Sequence, residues 1–312
     1  MTVPSTPDPS SPYLHHDWNG HRCAYRVIGD LQASAPPILS LHPIGVGLSG
    51  TFWNRFDAEW LRRGQPNALV HPDLLGCGAS AMPHQAIHPG DWADQLAGLW
   101  RERLQRPVLL IVQGASFPIA IELHDRLPEA IAGMVLAGPP ARRLITAPGS
   151  PGRSDALWRW FFDTPAGNLF YRYARTSRFL RNFSVKELFD QPQDVDEEWI
   201  GMLREGAADM ASRYAVFSFL AGWWRRDYSR EMAQVRCPVL ALFGEHASGI
   251  GRTGKGAGDA PASKLEDYPQ LLPHARAAIV PGRNVVPWER PGPFAGAVAE
   301  WVGALPGGPS QH

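Results

Sequence analysis

Cysteine, long apolar runs and net charge are all scarce in this sequence of 312 residues. Three cysteines, Cys23, Cys77 and Cys237, are too few and too widely spaced for a disulfide framework or a cysteine metal site. We therefore expect buried thiols in a reducing compartment, which predicts a cytoplasmic location. No run approaches the roughly 18 apolar residues of a membrane span.

The charges balance, because 30 Lys and Arg residues face 30 Asp and Glu residues. A net charge of zero argues against a nucleic-acid partner and against a membrane-surface protein dominated by electrostatics. The eleven histidines are scattered and form no metal-binding tract, and we expect no cofactor. Residues 1–12 are rich in Pro, Ser and Thr and lack the basic start and apolar core of a signal peptide. They predict a disordered tail.

Short apolar runs alternate with helical periodicity along most of the chain. Tyr13–Ile28 alternates polar and apolar residues, which favours a hairpin at a sheet edge. Six further strands are expected, at Ile38–Leu41, at Asn67–His71, in the run that begins at Val108, and at Ile131–Leu136, Pro238–Phe243 and Ala277–Val280. Strands that alternate with helices predict an α/β fold with a mostly parallel sheet covered on both faces.

The pattern changes between Arg142 and Met232, where strand signals vanish. This stretch is helical, aromatic and rich in arginine. We interpret residues 142–232 as an inserted helical cap, and residues 13–141 and 233–312 as one α/β core. Some of the cap aromatics should line an apolar pocket over the carboxyl ends of the strands, where ligands bind in such sheets.

A serine stands in the turn after the apolar run that begins at Val108. Gly114 ends the run, Ser116 follows two residues later, and a helix-like segment begins at about Phe117. A buried strand, a tight turn that holds a serine and then a helix form the arrangement called a nucleophile elbow. Pro118 stands where the second glycine normally sits, and proline is tolerated in the first turn of a helix. The pattern predicts Ser116 as the nucleophile.

Five motifs follow one another in an order that resembles the α/β-hydrolase superfamily over nearly the whole chain after the tail. They are His42 with its glycine-rich loop, Asp73-x-x-Gly76-x-Gly78-x-Ser80, Gly114-Ala115-Ser116, Leu240-x-x-Phe243-Gly244-Glu245, and Pro281-Gly282 followed by Glu289-Arg290-Pro291. The resemblance implies an α/β-hydrolase fold with a helical cap, but a fold alone does not give a function. The stretch that includes Asn284 is also similar to a little-characterised group of hydrolase-like proteins of cyanobacteria and plastids.

The resemblance also implies where a catalytic triad would lie. The triad of that family runs in the order Ser, Asp or Glu, then His. Its serine matches Ser116, its acid position falls on Ala247 and its histidine position falls on Asn284. The triad is therefore incomplete. A serine hydroxyl needs a base to take its proton, and an asparagine amide accepts none at neutral pH. Ordinary fast ester hydrolysis is not expected.

Another residue would have to replace the missing base. His246 is the best candidate, because it stands beside the acid position at the end of a strand and Glu245 adjoins it. The alternative is that both are ordinary loop residues. His84 and His88 are further candidates, with surface histidines as the alternative, and His42 is expected to support the oxyanion loop.

The oxyanion hole looks preserved in the sequence. The N–H of Phe117, after the serine, and the N–H of Ile44, after His42-Pro43, are the expected donors. Pro43 replaces the usual glycine and donates nothing itself. Such a hole is worth several kcal/mol to a developing oxyanion. It can equally bind a carbonyl or carboxylate group.

Two further patterns remain. The segment Gly249–Gly256 resembles two nucleotide-binding motifs. The helix that should follow a Gly-x-Gly-x-x-Gly motif is not expected, and the Ser or Thr that should follow the lysine of a P-loop is absent after Lys255. We expect residues 248–263 to form a mobile loop, with weak anion binding through Arg252 and Lys255 as the alternative. In the cap, four arginines share roughly one helix face. These arginines are Arg172, Arg175, Arg178 and Arg181. We expect them to form a solvated face or salt bridges to nearby acidic residues, with binding of an anionic ligand or a partner as the alternative.

Two hypotheses of function stay open. The first is an atypical serine hydrolase that acts on an ester or another apolar, carbonyl-containing small molecule. It would use Ser116, the N–H groups of Phe117 and Ile44, and an unorthodox base such as His246. The second is a non-catalytic hydrolase-like protein that binds a small hydrophobic ligand or a protein partner. Substrate and oligomeric state do not follow from the residues.

Overall fold

The structure, a computed structural model, describes residues 12–251 and 260–305. Its described part contains one sheet of eight strands. They are β1 (Leu14–Trp18), β2 (His21–Ile28), β3 (Ile38–Leu41), β4 (Leu69–Pro72), β5 (Val108–Gln113), β6 (Ile131–Ala137), β7 (Val239–Gly244) and β8 (Ala275–Val280).

The strands lie in the order β1-β2-β4-β3-β5-β6-β7-β8. β1 pairs with β2 and β2 pairs with β4 in antiparallel fashion, while all pairs from β4 to β8 are parallel. β3, β4, β5 and β7 are buried along their full length, as expected for apolar runs in a sheet covered on both faces. The predicted α/β fold with a mostly parallel sheet and an edge hairpin is confirmed.

Helices cover both faces of the sheet and fill the interval between β6 and β7. In chain order they are α1 (Asn54–Arg62), α2 (Pro89–Leu99), α3 (Phe117–Arg126), α4 (Arg142–Ile145), α5 (Pro151–Leu157), α6 (Pro165–Ala174), α7 (Ser177–Phe183), α8 (Glu197–Gly206), α9 (Arg213–Ala221), α10 (Ser229–Ala233), α11 (Pro261–Leu271), α12 (Val286–Glu289) and α13 (Pro291–Gly303).

Two large apolar clusters form the core. One joins the sheet to α1 and α13 through side chains such as Phe56, Trp60 and Phe294. The other joins the sheet to α2, α3 and α11 through side chains such as Trp92 and Leu271. The parallel strands are therefore sandwiched between two helical layers, and the carboxyl ends of the strands form one edge where a site can be assembled.

The helices α4 to α10 occupy residues 142–233, called here the helical segment. This segment packs on the loops that follow β3 and β4. The N–H of Ile87 donates to Ser218 Oγ in α9 at 2.9 Å. At Gly47 the two parts approach so closely that a Cβ would lie 1.8 Å from the carbonyl oxygen of Leu203. Whether the limits 142–232 bound a separate domain stays a prediction.

Two predictions fall wholly or partly outside the described residues. The predicted disordered tail, residues 1–12, is described only at Pro12. Of the predicted mobile loop 248–263, residues 252–259 lie outside the described ranges, and with them Arg252 and Lys255. None of the described helices combines the length and the apolarity that a bilayer crossing requires.

Candidate functional site

The turn after β5 determines which residue takes the elbow conformation. β5 ends at Gln113, and Gly114 follows it directly with a φ of +59°. Ser116, two residues further, has an ordinary helical backbone with φ −76° and ψ −3°. In a nucleophile elbow the nucleophile itself sits on the strained turn between strand and helix. The residue in that place here is Gly114, which has no side chain and adopts a positive φ without strain.

Ser116 is placed one helical step beyond the turn and is fully buried. Its Oγ donates a hydrogen bond to the carbonyl oxygen of His42 at 2.9 Å. This bond ties the start of α3 to the end of β3. The small serine side chain is accommodated where strand and helix lie close together, and its hydroxyl already donates a hydrogen bond to a backbone carbonyl.

The ring of His42 is also fully engaged. Its Nε2 accepts from the N–H of Leu74 at 3.1 Å, so the proton of the neutral ring is on Nδ1, which lies 2.9 Å from the carbonyl oxygen of Pro43. Complete burial lowers the pKa of His42 and favours this neutral form. The expected supporting role of His42 agrees with these contacts, and the ring has no nitrogen left to serve Ser116 as a base.

The oxyanion donors differ from the expectation. The N–H of Phe117 donates to the carbonyl oxygen of Gly114, because the helical turn already starts at Gly114. It is therefore not available to a ligand. With Gly114 in the elbow, the N–H that follows is that of Ala115. Neither Ala115 N–H nor Ile44 N–H donates to a backbone carbonyl in the turns and loops that the structure describes. These two N–H groups are therefore candidates for the donors of an oxyanion hole.

Asn284 occupies a junction of four chain segments. Its Nδ2 donates to the carbonyl oxygen of Glu187 at 2.7 Å, and its Oδ1 accepts from the N–H of Ser248 at 3.2 Å. Its carbonyl oxygen accepts from Gln113 Nε2 at 2.7 Å, next to the elbow glycine. Its N–H donates to the carbonyl oxygen of Leu188 at 3.0 Å. The side chain at the expected histidine position thus links the helical segment to the strand ends.

His246 lies away from the elbow. Its N–H donates to the carbonyl oxygen of Gly282 at 3.1 Å, which turns the chain towards β8. Its Nδ1 lies 2.9 Å from Asp190 Oδ1, and the side chain is 58% exposed. β7 is two strands from β5, about 10 Å at the usual strand spacing. The described residues contain no hydrogen bond between His246 and Ser116.

None of the other predicted positions has a hydrogen bond to Ser116 among the described residues. Ala247 is buried and offers no carboxylate. His84 pairs with Asp163 of the helical segment at 2.6 Å, and His88 packs beside Trp223 with ring centroids 4.8 Å apart. Within the described ranges, no three His, Cys, Asp or Glu side chains are grouped so that they could hold a metal ion.

A model of a known protein family matches most of this chain. Residues 38–297 match the model described as the alpha/beta hydrolase family. The chain belongs to the α/β-hydrolase family.

Relatives in this family with similar sequences include two proline iminopeptidases. The enzyme of Lactiplantibacillus plantarum is 32% identical over 124 residues, which cover 38% of this chain and 42% of that protein, less than half of its length. The enzyme of Levilactobacillus brevis is 24% identical over 305 residues, which cover 92% of this chain and 95% of that protein.

Solved structures of other proteins have a similar fold at lower identity. An esterase from Thermogutta terrifontis aligns with a TM-score of 0.69 at 18% identity and covers 94% of this chain and 99% of its own. An enol-lactonase from Burkholderia xenovorans aligns with a TM-score of 0.65 at 17% identity and covers 93% of this chain and 99% of its own. Both likenesses concern the fold alone.

The space at the elbow is the feature of this family member that sequence reasoning missed. A Cβ built on Gly114 would meet no atom within 4 Å. The neighbouring Gln113 Oε1 is buried and has no hydrogen-bond partner among the described residues. A signal was present in the sequence, because Gly114 alone of the turn residues adopts a positive φ at no cost. Ser116 matches the chemistry of the motif, and the sequence pattern therefore predicts the serine instead of Gly114.

Proposed function

We propose that this protein is an α/β-hydrolase family member that binds a small carbonyl- or carboxylate-containing molecule and does not hydrolyse it through a serine nucleophile. The observation that carries the proposal is the set of residues at the triad positions. Gly114 takes the elbow conformation, while Ala247 and Asn284 lie where the sequence resemblance predicts the acid and the histidine. None of these three residues offers a side chain that can attack a carbonyl or move a proton at neutral pH.

Ser116, two residues from Gly114, does not replace the missing nucleophile. Ser116 Oγ is buried and donates to the His42 carbonyl oxygen, and no imidazole nitrogen of the described residues is bonded to it. A serine hydroxyl without a base is a weak nucleophile. In a hydrolase where single triad members were removed, loss of the base lowered kcat by on the order of 10⁶.

The remaining groups are suited to binding. The N–H groups of Ile44 and Ala115 supply two donors for one oxygen atom, the usual composition of an oxyanion hole. The open space above Gly114 admits the group that carries this oxygen. Gln113 Oε1 offers a buried acceptor for a hydroxyl or amide of the same molecule. A ligand with a carbonyl or carboxylate oxygen matches these groups.

An atypical serine hydrolase is the second candidate. Membership of a family that includes iminopeptidases favours it, as does the presence of Ser116 two residues from the elbow. It requires Ser116 Oγ to leave the His42 carbonyl oxygen and a base to approach. Similarity to the cyanobacterial and plastid group and a cytoplasmic location stay predictions.

Labelling with a fluorophosphonate probe separates the two candidates. We expect the folded wild type and Ser116→Ala to remain unlabelled alike. The variant that combines Gly114→Ser, Ala247→Asp and Asn284→His is the positive control, because it restores all three triad groups at their family positions. Labelling of the wild type that disappears in Ser116→Ala would refute the binding proposal and establish the serine hydrolase.

Binding is tested by thermal unfolding in the presence of phenylacetate, with phenethylamine as the matched compound that lacks the oxygen. A ligand that binds only the folded state raises the Tm in a concentration-dependent manner. We expect phenylacetate to do so, and Gly114→Ala to abolish the shift by filling the space at the elbow. Gly64→Ala is the matched control, since Gly64 also has a positive φ and open space around it.

A further inference from the structure

The helical segment carries large apolar side chains that point into solvent. Trp160 is 77% exposed, Leu169 70% and Tyr173 61%. Phe161 and Phe183 are 39% and 37% exposed. These residues lie between positions 160 and 183 and are called here the aromatic face. Isolated exposed apolar residues are common on proteins, but a group of this size on adjoining helices marks an interaction site.

The aromatic face follows from the arrangement of α6 and α7. Ala166, Leu169 and Tyr173 recur at three- and four-residue spacing and form one outward stripe of α6, while Gly167 and Tyr171 are buried on its other side. The stripe continues into α7, because the ring of Tyr173 lies 5.1 Å from that of Phe179, which stacks on Phe183 at 6.1 Å.

Positive charge is concentrated in the same part of the chain. Although the whole protein has no net charge, residues 159–186 contain six basic side chains and one acidic side chain. Two of the arginines have partners within the fold: Arg175 donates to the Ala207 carbonyl oxygen, and Arg181 pairs with Glu197. Three exposed arginines make no hydrogen bond or ion pair to another described residue: Arg159, Arg172 and Arg178.

We propose that the aromatic face docks on the surface of an anionic phospholipid bilayer. Tryptophan, tyrosine and leucine side chains near arginines, as in residues 159–183, are the composition that lies in a membrane interface. Tryptophan and tyrosine favour the headgroup level, and each basic residue near an anionic surface adds attraction. The balanced charge of the whole chain conceals this local excess within residues 159–186.

The charges favour a bilayer over a second copy of the chain. An apolar contact between two copies would bring identical arginines together around it, and like charges at an interface oppose association. An anionic lipid surface neutralises them. Because no described helix can cross a bilayer, the contact is peripheral.

The test is co-sedimentation of the full chain with vesicles of phosphatidylcholine alone or of an equimolar mixture with phosphatidylglycerol. We expect binding to the mixed vesicles, weaker binding to phosphatidylcholine, and loss of binding as salt screens the charges. Arg172→Gln with Arg178→Gln should weaken partitioning about 25-fold, on the basis of about fivefold for each charge. Leu169→Gln with Tyr173→Gln should weaken it on the order of 100-fold.

The matched controls are Leu220→Gln and Arg230→Gln, which change exposed residues elsewhere on the helices of the same segment. Both should bind like the wild type, and circular dichroism should show that all variants are folded. Equal binding of Leu169→Gln/Tyr173→Gln and wild type, or no binding of the wild type to mixed vesicles, overturns the proposal. A dimer in light scattering that dissociates in Leu169→Gln/Tyr173→Gln overturns it in favour of a contact between copies.

Discussion

Replacement of Asn284 by alanine tests whether this residue, which lies at the expected histidine position, has a structural function. The side chain makes one bond to the helical segment, from Nδ2 to the Glu187 carbonyl oxygen at 2.7 Å, and one to the loop after β7, from the Ser248 N–H to Oδ1 at 3.2 Å. A family histidine would be free to face a nucleophile. Here the amide is committed to two backbone groups.

The expected cost follows from these two bonds. A net contribution of about 1 kcal/mol for each hydrogen bond gives about 2 kcal/mol, and a partner left without a hydrogen bond in a buried place adds to it. Asn284→Ala should therefore lower the free energy of unfolding by about 2–4 kcal/mol. Asn284→Asp retains an acceptor for Ser248 but places a carboxylate against the Glu187 carbonyl oxygen, so it should also destabilise.

Urea unfolding at neutral pH provides the measurement, with fluorescence and circular dichroism as independent probes whose coincidence tests two-state behaviour. Asn182→Ala is the matched control, because Asn182 is exposed in α7, and surface changes of this kind stay within about 0.5 kcal/mol. A value for Asn284→Ala within that same range would show that the junction contributes nothing, and the structural interpretation of Asn284 would fail.

Two further predictions concern backbone packing and pH. In urea unfolding, Gly47→Ala should destabilise the protein much more than Gly64→Ala, although both glycines have a positive φ. The reason is that a Cβ at Gly47 would lie 1.8 Å from the Leu203 carbonyl oxygen, whereas a Cβ at Gly64 would meet no atom. Equal losses of unfolding free energy would contradict this close approach. Burial lowers the pKa of His16 in the folded state, so the wild type should lose stability as the pH falls below about 6.5. The free energy of unfolding of His16→Leu should therefore rise relative to that of the wild type, by up to about 1.4 kcal/mol per pH unit. A difference in unfolding free energy between this variant and the wild type that stays constant with pH would refute the assignment.

The sign of the pH effect follows from proton linkage. In the unfolded chain His16 takes up a proton below about pH 6.5, whereas in the fold its buried ring resists the charge. Protonation therefore favours the unfolded chain until the lower folded pKa is reached. The ring nitrogens of His16 have no hydrogen-bond partner among the described residues, so leucine removes the titration without removing a bond.

Much of the fold could be predicted because local patterns and tertiary structure agree. The apolar runs at Ile38–Leu41 and Val239–Phe243 are strands in the structure, and the strict alternation before Ile28 is an edge hairpin. Such runs can be recognised because each buried strand of a parallel sheet must be apolar on both faces. The motif order likewise predicted the hydrolase family, which the family match supports independently.

The candidate site was predicted only in part. The assignment of Ala247 and Asn284 to the acid and histidine positions stays a prediction, which depends on a count along the chain from motifs near strand ends. The turn after β5 is different, since a shift of two residues changes which side chain occupies the elbow. Ser116 matched the expected chemistry, while the positive φ belongs to Gly114. His246 stood beside the right strand, but the chain there turns towards β8.

By itself the sequence determined the order of strands and helices and the family, because each of these depends on local composition or on spacing along the chain. The tertiary structure decided where the elbow lies, what Ser116 and Asn284 bind, and which arginines gather beside exposed aromatic rings. These properties depend on backbone dihedral angles and on contacts between residues far apart in the chain. Ser116 and His42, for instance, meet only because β3 and β5 are neighbours in the sheet.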